Sequence, residues 1–296
     1  MSRILIGGTA TIDFVFRLDR MPEAAEKYRA DAMQAVGGGG AANAAVAVSR
    51  LGGQAILTSR IGRDTIGDMI VAGLRREGVD CTLVRRFEDG TSPLSSVYVD
   101  SSGNRQIVNF RGDKLPTDAD RLAEGAPAFD AVLADTRWTE GGQTLLRLAR
   151  ERGVPSVIDG EAPVPDVLVR NASHVAFSLQ GLRDYAGTAD PVQGLTRTRA
   201  RTDAWLCVTD GANGIWFTEG GAISHVPAFA VDVVDTLGAG DVWHGAFVLR
   251  LAEGADERTA LVFASAAAAL KCTAFGGRKA TPTRETTDKF LQENPL

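Results

Sequence analysis

The chain has 296 residues, 44% hydrophobic and 23% charged, with a formal net charge of −5; this is globular composition, long enough for one large α/β domain. The acidic balance and the lack of any Lys/Arg run disfavour a nucleic-acid or anionic-membrane surface, and no apolar run reaches the roughly 18 residues of a membrane-spanning helix. Cys81, Cys207 and Cys272 are too few and too dispersed for a zinc site or a disulfide framework, and Met1 to Gly8 is too short and too soon glycine-rich for a signal peptide, so reduced thiols in a cytoplasmic protein are expected.

Arg3 to Gly8 is a short apolar run ending in glycines, a first buried strand. Phe14 to Met33 shows no helical pattern. Ala41 to Leu51 is an Ala-rich helix stopped by Gly52-Gly53, Ala55 to Arg60 the next strand, and Thr65 to Glu77 a helix stopped by Gly78. Pro93 to Arg111 carries two alternating runs around Asp100-Ser101-Ser102-Gly103-Asn104, a hairpin signature. Strand–helix alternation resumes with Ala131 to Asp135, Gln143 to Arg152 and Pro155 to Asp159. It continues with strands at Val175 to Ser178 and Ala204 to Thr209, then helices at Ala239 to Leu251 and Thr259 to Cys272. Such alternation implies a mainly parallel sheet covered on both faces. The stretches 14–33 and 93–111 read as strands of a small separate sheet. They are either a lid over the carboxyl edge of the main sheet, where open α/β sheets bind ligands, or two ordinary surface hairpins. No repeat or linker divides the chain, so one domain over residues 1–296 is expected.

Glycine is the outlier of the composition, with 33 residues, above its usual share of about 7%. Its densest signal is Asp235-Thr236-Leu237-Gly238-Ala239-Gly240-Asp241 ahead of a helix. The glycines let a ligand approach the backbone, and the helix start turns free N–H groups toward it, which makes an anion site. Asp241 fits two roles there: a helix cap, or a base taking the proton of a hydroxyl that attacks phosphorus. A second loop, Val36 to Asn43 (VGGGGAAN), could cradle phosphate or a small substrate. Its loose G-x-G-x-x-A fits the dinucleotide fingerprint poorly, because about thirty residues separate it from the first strand and no acid follows suitably. A third loop, Val208-Thr209-Asp210-Gly211-Ala212-Asn213-Gly214 with a second strand (IWFTE) behind it, could bind phosphate through the Thr hydroxyl and Gly backbone, or be a plain turn.

Together and in this order, Gly37-Gly38-Gly39-Gly40-Ala41-Ala42-Asn43 and Asp235 to Asp241 make the chain resemble the ribokinase-like PfkB sugar kinases over nearly its whole length. The resemblance implies a three-layer α/β/α core with a small β lid, and transfer of the ATP γ-phosphoryl group to a sugar hydroxyl with Mg²⁺. It makes Asp241 the base, and the backbone N–H groups of Gly238, Ala239, Gly240 and Asp241 the donors to the transferring phosphoryl. Asp13, Gly38, Gly39 and Asn43 would hold the sugar, and Thr209 and Gly211 the nucleotide. A monovalent cation such as K⁺ would sit at Asp235, with carbonyls near Leu237 and Gly276. One departure stands out: where many relatives carry N-x-x-E for Mg²⁺, this chain reads Phe177-Ser178-Leu179-Gln180-Gly181. Asp159 and Glu161 (IDGEA), or waters, would then serve the metal.

Val132 to Trp138 (VLADTRW), Val231 to Asp235 (VDVVD) and Ala268 to Thr273 (AALKCT) further resemble bacterial sulfofructose kinases within that family. That likeness implies Lys27, Asn109 and Arg137 around a sulfonate and a ketose C1-OH as acceptor, with 6-deoxy-6-sulfofructose the sharpest candidate. Two cations and an amide suit an anionic tail; equally, Lys27 could be a solvated charge and Arg137 the partner of a carboxylate. Fructose, ribose, a 2-keto-3-deoxy sugar acid and a nucleoside stay open as substrates. A non-catalytic sugar or nucleotide sensor and a dinucleotide-binding oxidoreductase are rivals of other classes. An exposed lid sheet could pair two subunits.

Overall fold

The apolar run Arg3–Gly7 forms β1, whose side chains part to two faces: Ile4 and Ile6 enter one core and Leu5 the other. That is why the strand reads as continuously apolar. The computed structural model describes residues 1–102 and 104–296, so Gly103 of the expected hairpin turn lies outside the described residues. After β1 come β2 (Thr11–Arg17), β3 (Ala32–Gly38), α1 (Gly40–Arg50), β4 (Gln54–Gly62), α2 (Thr65–Arg76) and β5 (Asp80–Phe87). Next are β6 (Leu94–Val99), β7 (Arg105–Phe110), α3 (Asp120–Gly125), β8 (Ala131–Ala134), α4 (Thr139–Arg152) and β9 (Ser156–Gly160). The chain continues through α5 (Asp166–Asn171), β10 (His174–Ser178), α6 (Leu179–Ala186), α7 (Pro191–Arg199), β11 (Trp205–Thr209), β12 (Ile215–Glu219) and β13 (Ala222–Val226). It closes with α8 (Ala239–Ala252), α9 (Glu257–Cys272) and α10 (Arg284–Glu293).

The main sheet has the order β13-β12-β11-β10-β9-β8-β1-β4-β5. Its strands run parallel except β12, which is antiparallel to both β11 and the edge strand β13. One core lies between the sheet and α1, α8 and α9, the other between the sheet and α4 to α7. The second sheet has the order β3-β2-β6-β7. Its strands differ from the expected stretch 14–33: residues 18–31 form an irregular connection, with β2 beginning at Thr11 and β3 running on to Gly38. The connection has no apolar alternation to hold it on a sheet face, whereas Ala32–Gly38 is tied along its length to β2.

Ala-rich α1 crosses α8 closely. A Cβ on Gly245 of α8 would meet the Ala44 carbonyl oxygen at 2.5 Å and the Ala47 Cβ at 3.0 Å. Small residues at that crossing bring the starts of the two helices, and with them both glycine loops, to one place above the carboxyl ends of β1, β8 and β9.

Candidate active site

A cleft of about 470 Å³ lies between the carboxyl ends of β1, β8 and β9 and the facing side of the small sheet. From the main sheet it is lined by Thr9, Asp135, Arg137, Asp159 and Glu161; from the small sheet and its flanks by Asp13, Ser95, Asn109 and Arg111. Asp13, Ser95 and Asn109 are register neighbours across β2, β6 and β7, and Asn109 Nδ2 donates to Ser95 Oγ at 3.0 Å. Burial pushes the Asp13 carboxyl above its usual range, against the pull of the Ser95 hydroxyl and of Arg278. Gly38 is required by Asp13, because a Cβ there would lie 2.1 Å from its Oδ2.

Asp241 enters the cleft from the first turn of α8. Its Oδ2 accepts from Asn43 Nδ2 at 2.7 Å. Burial raises its pKa, opposed by the Asn43 hydrogen bond and by nearby His244. Gly238 caps the helix at φ +78°, a backbone that favours glycine. A Cβ on Gly240 would meet nothing within 4 Å, so space opens over the helix start. The first i→i−4 bond of α8 runs from Val242 N to Gly238 O at 3.0 Å, and helix starts leave the preceding amides to other acceptors. Ala239 departs from the expected donor set: its amide is spent on Thr236 O at 3.1 Å. Gly240 and Asp241 are left as donors from the first turn.

The profile of the pfkB family carbohydrate kinases matches residues 1–284. The chain belongs to that family. It is 30% identical to the ribokinase of Bacillus subtilis over 98% of this chain and 100% of that one. It is likewise 30% identical to the ATP-dependent ribose-1-phosphate kinase of Halopiger xanaduensis, over 99% of each. The ribokinase of Arabidopsis thaliana, solved with ribose and ATP, shares the fold at a TM-score of 0.89 over 99% of both chains, at 23% identity. The chain is therefore a ribokinase-like carbohydrate kinase with the three-layer fold of that family.

Among the residues singled out in the sequence, Asp13, Gly39, Asn109, Arg137 and Asp241 line the kinase's cleft, and Asn43 and Gly38 support two of them. Lys27 does not join them: it is exposed on the 18–31 connection, which leaves the small sheet after Arg17, at the end that pairs through Val99 with Arg105 and away from the Asp13–Ser95–Asn109 register. Thr209 and Gly211 stand at the end of β11, two strands from β9 in the sheet order, and line no part of this cleft. Two arginines were missed. Arg60, which ends an expected strand, lines the cleft over the Trp138 ring at 5.0 Å, and Arg111 lines it just beyond β7. Their only signal was position, one at a strand end and the other after the second alternating run.

Asp159 fits a divalent cation. Its buried Oδ1 has no hydrogen-bond partner and lies 3.5 Å from His244 Nε2. Burial, with the charges of Asp241, Glu161 and Asp135, pushes its pKa up to about 7 against the pull of His244. Such a carboxylate gains from a nearby cation. Mg²⁺ needs only one or two protein carboxylates beside substrate phosphates and water, a share that Asp159 and Glu161 on the cleft lining would supply. Asp235 fits a monovalent cation badly. Burial would raise its pKa, yet hydrogen bonds from the Leu237 and Gly277 amides and the charge of Lys271 bring it down to about 2. It also pairs with Arg105 at 2.7 Å. The expected K⁺ position is therefore already crowded with donors.

Proposed function

We propose that this kinase phosphorylates the C1-OH of a ketose bearing an anionic group at its far end, with 6-deoxy-6-sulfofructose as the candidate substrate. The observation that carries the reading is the opposed chemistry of one cleft: acids at Asp13 and Asp241, and Arg60, Arg111, Arg137 and Asn109 on the same lining. Arg137 is held by Ala162 O, which accepts from its Nη1 at 2.7 Å, and by its own amide donating to Asp135. A sugar needs carboxylates for its hydroxyls, whereas guanidinium groups suit sulfonate or phosphate.

Asp13 accepts hydrogen bonds from sugar hydroxyls and fixes the ring. Asp241, oriented by Asn43, takes the proton of the attacking hydroxyl, and burial raises its pKa, which strengthens it as a base. The amides of Gly240 and Asp241, with Gly238 shaping the turn, donate to the transferring phosphoryl oxygens; such fixed donors are typically worth about 2.7–4 kcal/mol each. ATP lies along the β10–β11 side, where Thr209 and Gly211 reach its phosphates. Asp159 and Glu161 would hold Mg²⁺, which neutralises phosphate charge when bound.

Ribose or ribose 1-phosphate is the second reading, favoured by the activities named for the two curated relatives. A coupled ADP-release assay over sulfonated, phosphorylated and neutral sugars separates them. Preference for a 6-anionic ketose supports the first reading; preference for ribose or its 1-phosphate replaces it. Edge strand β7, with Ile107, Val108 and Phe110 exposed, supports pairing of two small sheets in a homodimer. Sedimentation velocity tests this, and a monomer at micromolar concentration would refute it.

A further inference from the structure

Both carboxylate oxygens of Asp235 are filled by protein donors. Oδ1 accepts from Arg105 Nη2 at 2.7 Å and from the Leu237 amide at 2.9 Å. Oδ2 accepts from the amides of Gly276 and Gly277 at 3.2 and 3.1 Å, and lies 3.4 Å from the ammonium of Lys271. A carboxylate oxygen offers about two lone pairs, so neither has one left for a metal ion. Nearby carbonyls are equally committed. The Asp235 carbonyl accepts from Lys271 Nζ at 2.6 Å, and the Cys272 carbonyl accepts the amides of Val234 and Asp235 at 2.8 and 3.1 Å.

Lys271 is fully buried in the last turn of α9. A buried ammonium persists only where it is paired and hydrogen-bonded, and here every contact points at the root of the Asp235–Asp241 loop. From that root, Asp235 fixes the Leu237 amide, Thr236 O holds the Ala239 amide, and Gly238 starts α8 with Gly240 and Asp241 behind it.

We infer that Lys271 is a built-in monovalent cation: its tethered ammonium supplies, beside Asp235, the charge that K⁺ would otherwise bring, and makes the enzyme independent of added monovalent cations. Lys271 is a positioning residue, acting through the Asp235 carbonyl and carboxylate on the loop that carries Asp241. The inference rests on reading that loop as the phosphoryl site. It predicts a kinase that works equally in potassium, sodium or a large organic cation.

The test compares the full-length protein in KCl, NaCl and tetramethylammonium chloride at equal ionic strength, by turnover of any accepted sugar and by thermal midpoint without sugar. Wild-type turnover is expected to agree within about twofold across the three salts, with midpoints that coincide. Lys271→Ala opens a hole beside Asp235. There KCl or methylammonium, but not tetramethylammonium, should raise the midpoint and restore turnover by about tenfold or more. Lys271→Met fills the hole without charge and should be slow in every salt, which keeps the test decisive where Lys271→Ala fails to fold. A midpoint or rate in wild type that rises specifically with KCl overturns the inference. So does a Lys271→Ala variant that folds and is indifferent to all cations, or a Lys271→Met variant as fast as wild type. Midpoints need no substrate, so failure to phosphorylate any sugar would count against the proposed function and leave this comparison standing.

Discussion

The Asn43 side-chain amide donates to Asp241 Oδ2 at 2.7 Å, joining the two glycine loops across 198 residues of chain. The bond lowers the pKa of a carboxyl that burial raises. Asn43→Ala removes that pull, so the Asp241 pKa should move further up. The acid limb of kcat/KM should then shift to higher pH, with activity lost most at low pH and partly regained at high pH. A pH–rate profile with an unmoved acid limb would detach Asn43 from the base.

Asp241→Asn keeps shape and hydrogen bonding but cannot take a proton. Turnover should fall by about 10²–10⁴-fold, with the KM for ATP little changed. Steady-state kinetics within a few-fold of wild type would remove Asp241 from that role.

Gly240 and Gly238 should fail differently. Gly240→Val places its side chain in open space over the helix start, so the protein should fold with an unchanged thermal midpoint and lose activity. Gly238→Ala forces a Cβ onto a φ of +78° and should lower the midpoint as well. Normal turnover in Gly240→Val would place the phosphoryl group elsewhere.

Arg137 contacts the substrate tail in ground and transition states alike under the proposed function, so Arg137→Ala should raise KM and spare kcat. A charge-assisted contact is worth ~1.5–3 kcal/mol, which is a KM rise of about ten- to a hundred-fold. The rise should appear for a sulfonated or phosphorylated ketose and vanish for neutral fructose, and salt should weaken the anionic sugar less in the variant. Equal effects on both sugars would return Arg137 to a structural role.

Asp159 gives a pH signature in stability. Its folded pKa near 7 stands above the ordinary carboxylate value of 3.8, so the folded protein binds the extra proton. The stabilisation from keeping Asp159 neutral is full below the ordinary value and is lost as pH rises through about 7. Without Mg²⁺, Asp159→Asn should therefore gain thermal midpoint over wild type at pH 8 and gain less at pH 5. Parallel melting curves across that range would contradict the assignment.

The repeating strand–helix pattern was legible because β1, β8 and β9 are buried on both faces and carry apolar runs at Ile4 to Ile6, Ala131 to Ala134 and Val157-Ile158. Half-exposed β5 and β13, and the polar helices α6, α7 and α10, left no such run. Asp241 and Asn43 could be placed because their glycine loops have distinctive spacing, and Asp13, on β2, only through the family resemblance. Arg60 and Arg111 could not, because only the packing of the small sheet over β1 and β8 turns a strand-end arginine into a cleft residue. Lys27 lies off the cleft lining for a related reason: sequence separation says nothing about where an irregular connection lies. The Asp235 site was obscured by Arg105 and Lys271, remote in sequence, whose meeting at one carboxylate needs the tertiary fold.

The account is tested most directly by incubating the enzyme with Mg-ATP and 6-deoxy-6-sulfofructose and analysing the product by mass spectrometry and ³¹P NMR. The prediction is one ADP released for each sugar gaining a single phosphoryl group, with phosphorus coupled to the C1 protons and no product from Asp241→Asn. ADP released without a phosphorylated sugar, or a product formed equally by Asp241→Asn, would contradict it.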